Sequence, residues 1–177
     1  MREALGIYVA AMSYPRGTEH HRAPMWAEHI TRPGWRAVGV VSADPARPRP
    51  DADPLLGIAY GYRGGPQQWW HQQVQTGMRN SGWPEPAVRT LLGDYFELTE
   101  LHVRPDMQGH GLGDALLRRL LAGRAERSVL LSTPEVPAED NRAWRLYRRL
   151  GFTDVIRHFT FAGDSRPFAV LGRGLPL

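Results

Sequence analysis

Three glycines at alternate positions, 109, 111 and 113, sit between a strand-like run and a helix-like run, and this junction constrains the fold more than any other feature of the chain. Ahead of it, residues 95–103 are rich in β-forming side chains. Behind it, Leu112, Leu116, Leu117, Leu120 and Leu121 line one helical face, with Arg118, Arg119 and Arg124 on the other. Glycine reaches positive φ without steric penalty and lets a ligand approach the backbone. The first amides of a helix lack intrahelical acceptors, and the helix dipole adds positive potential there. Such a turn suits a phosphate or diphosphate. A dinucleotide-binding turn, G-x-G-x-x-G, is excluded because the third glycine comes one residue early, and a Walker loop because it needs lysine, which the chain lacks. A tight strand-to-helix turn with no ligand is the plain alternative. Before the turn, apolar residues fall at Phe96 and Leu98, then at Leu101 and Val103. The alternation slips by one near Thr99–Glu100, which predicts a β-bulge that splays the strand and frees backbone groups.

The remaining pattern places helices at 2–13 and from Thr18, a candidate cap, to about Ile30. Strands are predicted at Trp35–Val41, Leu55–Tyr62, Ser128–Thr133, Thr153–Phe161 and Pro167–Leu171, with a further helix at Asp140–Leu150. The Pro/Asp stretch SADPARPRPDADP reads as a mobile hairpin tip. Residues 66–93 read as two short helices, the first of them polar. The order is helices, strands, then β-α-β-α-β-β, an α/β class with a mixed sheet flanked by helices. The 177 residues suit a single domain, 1–177, with a helical insertion at about 66–93.

Composition removes several function classes. There is no cysteine, hence no disulfide framework, thiolate metal site or cysteine nucleophile. All 22 basic residues are arginine, so no lysine can form a Schiff base; the bias points to a GC-rich, bacterial source. Net charge is +4, but the arginines are scattered, which argues for a polyanionic small ligand over nucleic acid. The one basic helix face is Arg142, Arg145, Arg148 and Arg149, read as solvated surface or as a site for a ligand phosphate. No apolar run reaches 18 residues, so no membrane span is expected, and the N-terminus reads as a helix without a signal-peptide cleavage site. A cytoplasmic location follows as the default.

Gln108-x-x-Gly111-x-Gly113, preceded by Leu101-x-Val103-x-Pro105, resembles the coenzyme A signature of the GNAT superfamily of N-acetyltransferases. Ala143, Leu146, Tyr147, Leu150, Gly151 and Phe152 are similar to its second signature, A-x-x-L-Y-x-x-x-G-F, at a matching separation. The resemblance covers 95–161. It implies the GNAT acyl-CoA N-acyltransferase fold, a mixed, mostly antiparallel sheet with a bulged central strand. It implies acetyl-CoA as cosubstrate, no metal, and direct transfer to an amine. Leu101, His102 and Val103 would meet the pantetheine arm. Amides of Gln108, Gly109, His110, Gly111, Leu112, Gly113 and Asp114 would hold the diphosphate. Tyr147 would protonate the departing thiolate, with core packing as its plain alternative. Glu97 matches the family's usual glutamate base, with Glu100, His102 or water as alternatives. The family often carries an asparagine seven residues before the tyrosine. Here that position is Asp140, a possible helix cap, and Asn141 beside it is the residue offered to the cosubstrate.

The family's usual first strand has no counterpart, and an edge strand at Trp35–Val41 would favour a homodimer. The acceptor site is implied by the resemblance around Tyr14, His20, His21, Trp26, Trp69, Trp70 and His71. Trp69, Trp70 and His71 either wall an aromatic pocket or pack the insertion onto the sheet. His20 and His21 are adjacent on a helix and point apart, so they form no metal pair. The expected acceptor is a small-molecule amine. A peptide or protein N-terminus, or a non-catalytic coenzyme A-binding module, is the alternative.

Overall fold

The computed structural model describes residues 1–42 and 53–177. Its helices are α1 (Arg2–Ala11), α2 (Thr18–Ile30), α3 (Trp69–Asn80), α4 (Glu85–Leu92), α5 (Leu112–Leu121) and α6 (Arg142–Arg149). Its strands are β1 (Arg36–Val41), β2 (Leu55–Arg63), β3 (Tyr95–Val103), β4 (Ser128–Pro134), β5 (Thr153–Phe159) and β6 (Phe168–Gly174). The strands form one open sheet in the order β1-β2-β3-β4-β6-β5. β3 and β4 run parallel, while β1–β2, β4–β6 and β5–β6 are antiparallel. This is the mixed, mostly antiparallel α/β architecture expected, with β1 at an edge. The hairpin tip expected at 42–54 falls mostly on residues 43–52, outside the described residues.

The chain divides into two compact units, and the division runs through β3 between Leu98 and Thr99. That is where the apolar alternation slips. In the first unit, α1 and α2 close over β2 through a core of Leu5, Tyr8, Val9, Trp26, Ile58, Tyr60 and Tyr62. Gly57 permits a tight crossing, since a Cβ there would lie 3.1 Å from the His102 carbonyl oxygen and 3.1 Å from Leu116. The C-terminus of α5 is tied to β1 by Arg36, whose guanidinium donates to the carbonyls of Leu120 and Ala122. Gly17, in the left-handed region, caps α2 in place of Thr18, because the Thr18 hydroxyl donates backward to Pro15 instead.

In the second unit, α3 and α4 pack with Tyr95, Leu130, Val155, Ile156, Phe161 and Val170 around Trp70, Val74, Met78, Val88 and Leu92. Gly77 lets α3 press onto β5; a Cβ there would meet the Phe159 ring at 2.7 Å. The parallel ladder pairs Tyr95, Phe96 and Glu97 with Ser128, Val129 and Leu130, while β4 continues against β6 through Pro134. The segment 66–93 is helical, as the sequence predicts.

Candidate active site

The glycine turn lies in the first unit. After β3 a single 3-10 turn, Pro105–Met107, leads to Gln108, whose side-chain amide donates to the Val103 carbonyl at 3.2 Å. Gly109 (φ +90°) and Gly111 (φ +77°) then occupy the left-handed region, where a side chain would be strained. Gly111 caps α5, and Ala115 is the first amide to donate into it, to Gly111 at 3.1 Å. The amides of Leu112 and Gly113 precede that first bond and have no helical acceptor. Gly109, His110 and Gly111 are exposed and Gln108, Leu112, Gly113 and Asp114 half-buried. The His110 ring folds back on the Met107 carbonyl at 3.2 Å, leaving the backbone outermost. Asp114 accepts from Arg118 one turn on, which suits the helix dipole.

The last residues of β3 carry an ordered polar cluster. His102 Nε2 donates to Glu100 Oε2 at 2.6 Å, and Trp26 Nε1 donates to Glu100 Oε1 at 3.2 Å. The Tyr8 ring meets His102 edge-on at 5.1 Å, and Arg22 Nε donates to the Tyr8 hydroxyl at 2.8 Å. Burial pushes the Tyr8 phenol up to about 12 despite Arg22 beside it. Behind this layer, His29 bonds the Tyr60 hydroxyl at 3.0 Å, and burial holds it down at about 4, neutral at any ordinary pH. Arg22, Tyr8 and His29 were not singled out by sequence reasoning. Their partners lie 14 to 31 residues away for the bonds of Tyr8 and His29, and 74 for Trp26 with Glu100, beyond any periodic signal.

The second unit holds Glu97 and Tyr147. Glu97 is 3% exposed, in register with Leu130 of β4. Tyr147 is buried on α6 beside Phe152, with ring centroids 5.6 Å apart. Asn141, not Asp140, caps α6: its Oδ1 accepts from the Trp144 amide at 2.9 Å, while Asp140 pairs with Arg145. The basic face of α6 is largely answered by carboxylates. Arg148 bonds Glu139 and Asp154, and Arg157 bonds Glu135, Glu139 and Asp154. Both guanidinium groups sit 5.0 Å from the ring of the fully buried Trp144. Ala138 and Glu139 lie in the left-handed region within this clamp.

Of the aromatics considered for a pocket wall, Trp70 and His71 are core residues, bonded to Ser132 Oγ and the Tyr95 hydroxyl. Trp69 alone of the three is exposed, at 51%, against Phe161. His20 and His21 are exposed on α2. Among the described residues, no group of three or more His, Asp or Glu could hold a metal ion, and no helix is long and apolar enough to cross a membrane.

Residues 81–154 match the model of the acetyltransferase (GNAT) domain. A GCN5-like protein acetyltransferase of Mycobacterium tuberculosis is 60% identical over 188 aligned positions, covering 99% of this chain and 91% of the relative. The chain belongs to the GNAT acetyltransferase family. Among solved structures, a protein of the same family from Desulfovibrio desulfuricans superposes with a TM-score of 0.62 at 16% identity, covering 98% of this chain and 90% of that one. An aminoglycoside 6′-N-acetyltransferase, solved with coenzyme A, superposes at 0.55 with 14% identity, covering 99% and 91%. This GNAT protein is therefore an acyltransferase by family, and its two sequence signatures fall on the glycine turn and on α6.

Proposed function

We propose that the protein transfers the acetyl group of acetyl-CoA to a primary amine carried by a protein or peptide. The observation that carries the donor half is the glycine turn: two left-handed glycines expose the amides that open α5. Backbone donors without helical acceptors at a helix start fit a diphosphate, and no side chain caps this one. Leu112 and Gly113 would donate to it, with Gly109, His110 and Gly111 shaping the turn. Gln108 is better suited to bracing the turn through Val103 than to gripping ligand. Leu101 and Val103 carry the backbone groups for the pantetheine arm. Asn141 has its carboxamide oxygen committed to the cap, which leaves its amino group for the cosubstrate.

The acceptor half rests on the relative named a protein acetyltransferase, which matches nearly the whole chain. A small-molecule amine, favoured by sequence reasoning alone, becomes the second choice; the aminoglycoside enzyme shares only the fold.

An amine with a pKa near ~10 arrives as ammonium and must lose a proton before it can attack. β3 offers Glu97, Glu100 and His102 for that step. The amine nitrogen then bonds to the acyl carbon as the carbon–sulfur bond breaks. Tyr147 gives its phenolic proton to the leaving sulfur and regains one from the new amide nitrogen. Thiol release from acetyl-CoA, measured over a peptide and a small-amine panel, tests the reading. Turnover with peptides supports it; turnover with small amines only redirects the acceptor; no turnover with either ends it. Tyr147→Phe is expected to lower kcat by about 10²-fold while calorimetric acetyl-CoA affinity stays within threefold, roughly the spread expected of a conservative change.

A further inference from the structure

We propose that His102, oriented by Glu100, is the base that takes the proton from the acceptor's ammonium, in place of the glutamate the family resemblance suggests. This rests on the acetyltransferase reading above. The imidazole is held on two sides. Its Nε2–H donates to Glu100 Oε2 at 2.6 Å, and the Tyr8 ring stands edge-on at 5.1 Å and 78°. With an ionised carboxylate at Nε2, the proton of the neutral ring resides there, and Nδ1 presents its lone pair. Among the described residues none hydrogen-bonds Nδ1, and the side chain keeps 10% of its surface exposed. Glu100 itself has both oxygens engaged, Oε1 by Trp26 and Oε2 by His102, so it serves as a positioning residue. Glu97 lies at 3% exposure in the laddered half of the strand.

The charged and titratable groups around the pair come from three elements. Glu100 is on β3 itself. Tyr8 belongs to α1, and Arg22 and His29 to α2. Tyr14, which follows α1, packs on Tyr8 with ring centroids 5.4 Å apart. Tyr8 and His29 remain neutral through the physiological range, and the Arg22 cation, which donates to the Tyr8 hydroxyl, is held charged in part by the Glu100 carboxylate. Among the described groups of this layer Glu100 is the carboxylate that touches the ring, so a proton arriving there has a countercharge beside it.

In the step itself, Nδ1 of His102 takes one proton from the R–NH3⁺ group, giving imidazolium and a free amine. The amine lone pair forms the C–N bond and the thioester electrons leave with sulfur. The second amine proton passes through Tyr147 to the thiol. His102 returns its proton to solvent, so each turnover releases one proton.

The test is the pH dependence of kcat/KM for wild type, His102→Asn, Glu100→Gln and Glu97→Gln, with acetyl-CoA affinity and melting temperature measured beside it. His102→Asn is expected to lose about 10²-fold or more at pH 7 and to retain acetyl-CoA binding. Its rate should then climb with pH only as the free acceptor amine deprotonates. Glu100→Gln, which keeps the side-chain shape, should fall between wild type and His102→Asn. If His102→Asn fails to fold, the Glu100→Gln profile decides. An unchanged profile in His102→Asn, or in a folded Glu100→Gln, overturns the assignment, as does a Glu97→Gln loss that exceeds both. Wild-type enzyme that releases no thiol with any acceptor overturns the acetyltransferase reading itself, and this one with it.

Discussion

Arginine is the sole strong base in the chain, and its planar group shapes packing as well as charge. Arg22 and Arg32 lie over Tyr8 and Tyr62, Arg124 over Phe96, and Arg148 and Arg157 over Trp144. Each guanidinium also keeps in-plane donors for a hydroxyl or carboxylate, a double use that an ammonium cannot make. Single atoms matter as much at the glycines. A Cβ on Gly64 would fall 1.9 Å from the Tyr95 ring, and Tyr95 is fully buried in the α3–α4 core. Gly64→Ala must displace that ring, and a loss of about 1–3 kcal/mol in urea unfolding is expected, as for other overpacked cores. Nothing in the sequence marks Gly64, because the ring that meets it comes from a residue 31 positions later. His102 shows the same limit from the other side. By sequence it is only a backbone neighbour of a pantetheine arm and one of several possible bases. Only the bond to Glu100 separates it from its neighbours.

At the scale of elements, α6 is held by charge. Glu139 receives Arg148 and Arg157, Asp154 receives both as well, and Glu135 accepts from Arg157 Nε and the His158 amide, each at 2.8 Å. The Arg148 hydrogen bond holds the Glu139 carboxyl below its ordinary value. Burial would raise those of Glu135 and Asp154, but Arg157 and the His158 amide outweigh it at Glu135, and Arg148 with Arg157 outweigh it at Asp154, leaving both lowered. A carboxyl lowered in the folded state stabilises that state wherever it is ionised. The contribution is therefore complete above the unfolded values, 4.5 for the glutamates and 3.8 for the aspartate, and drains away as pH falls from there through the lower values of the folded state. Denaturant midpoints measured from pH 7 to pH 3 should fall steeply below about pH 4.5, near the glutamates' ordinary value, and less steeply in Glu139→Gln. An equal slope in the two proteins would show that the clamp carries none of the acid sensitivity. The existence of α6 was legible from Ala143, Leu146, Tyr147 and Leu150 at helical spacing. Its cap was not, because Asp140 and Asn141 are equally good capping residues and the choice turns on the left-handed backbone at Ala138 and Glu139. The Trp70–His71 pair went the same way: an aromatic run between two polar stretches fits a pocket or a core, and burial decided for the core.

For the whole molecule, ligand binding is the property that links sequence to stability. If the α5 turn binds acetyl-CoA in the folded state only, ligand at about 100 times Kd adds about 2.7 kcal/mol. For a chain of this size that is a melting-temperature rise of about 5–10 °C. Gly111→Ala, strained at φ +77°, should lose most of the rise at the same ligand concentration. A full rise in the variant would remove the turn from the binding account. What the amino-acid order settled by itself is local: the periods of helix and strand, the glycines that turn one into the other, the breakers between them, and the two signatures of the GNAT family. Those patterns are written within a few residues because backbone sterics and hydrogen bonding act over one or two turns of chain. The folded structure alone decided which strands pair, that β3 leaves its parallel ladder after Glu97, and that Tyr8 and Glu100 meet one histidine while Trp26 holds the glutamate. Such contacts join residues many tens of positions apart, and they form because burial and hydrogen-bond satisfaction are imposed by the whole core at once, which no local window of sequence records.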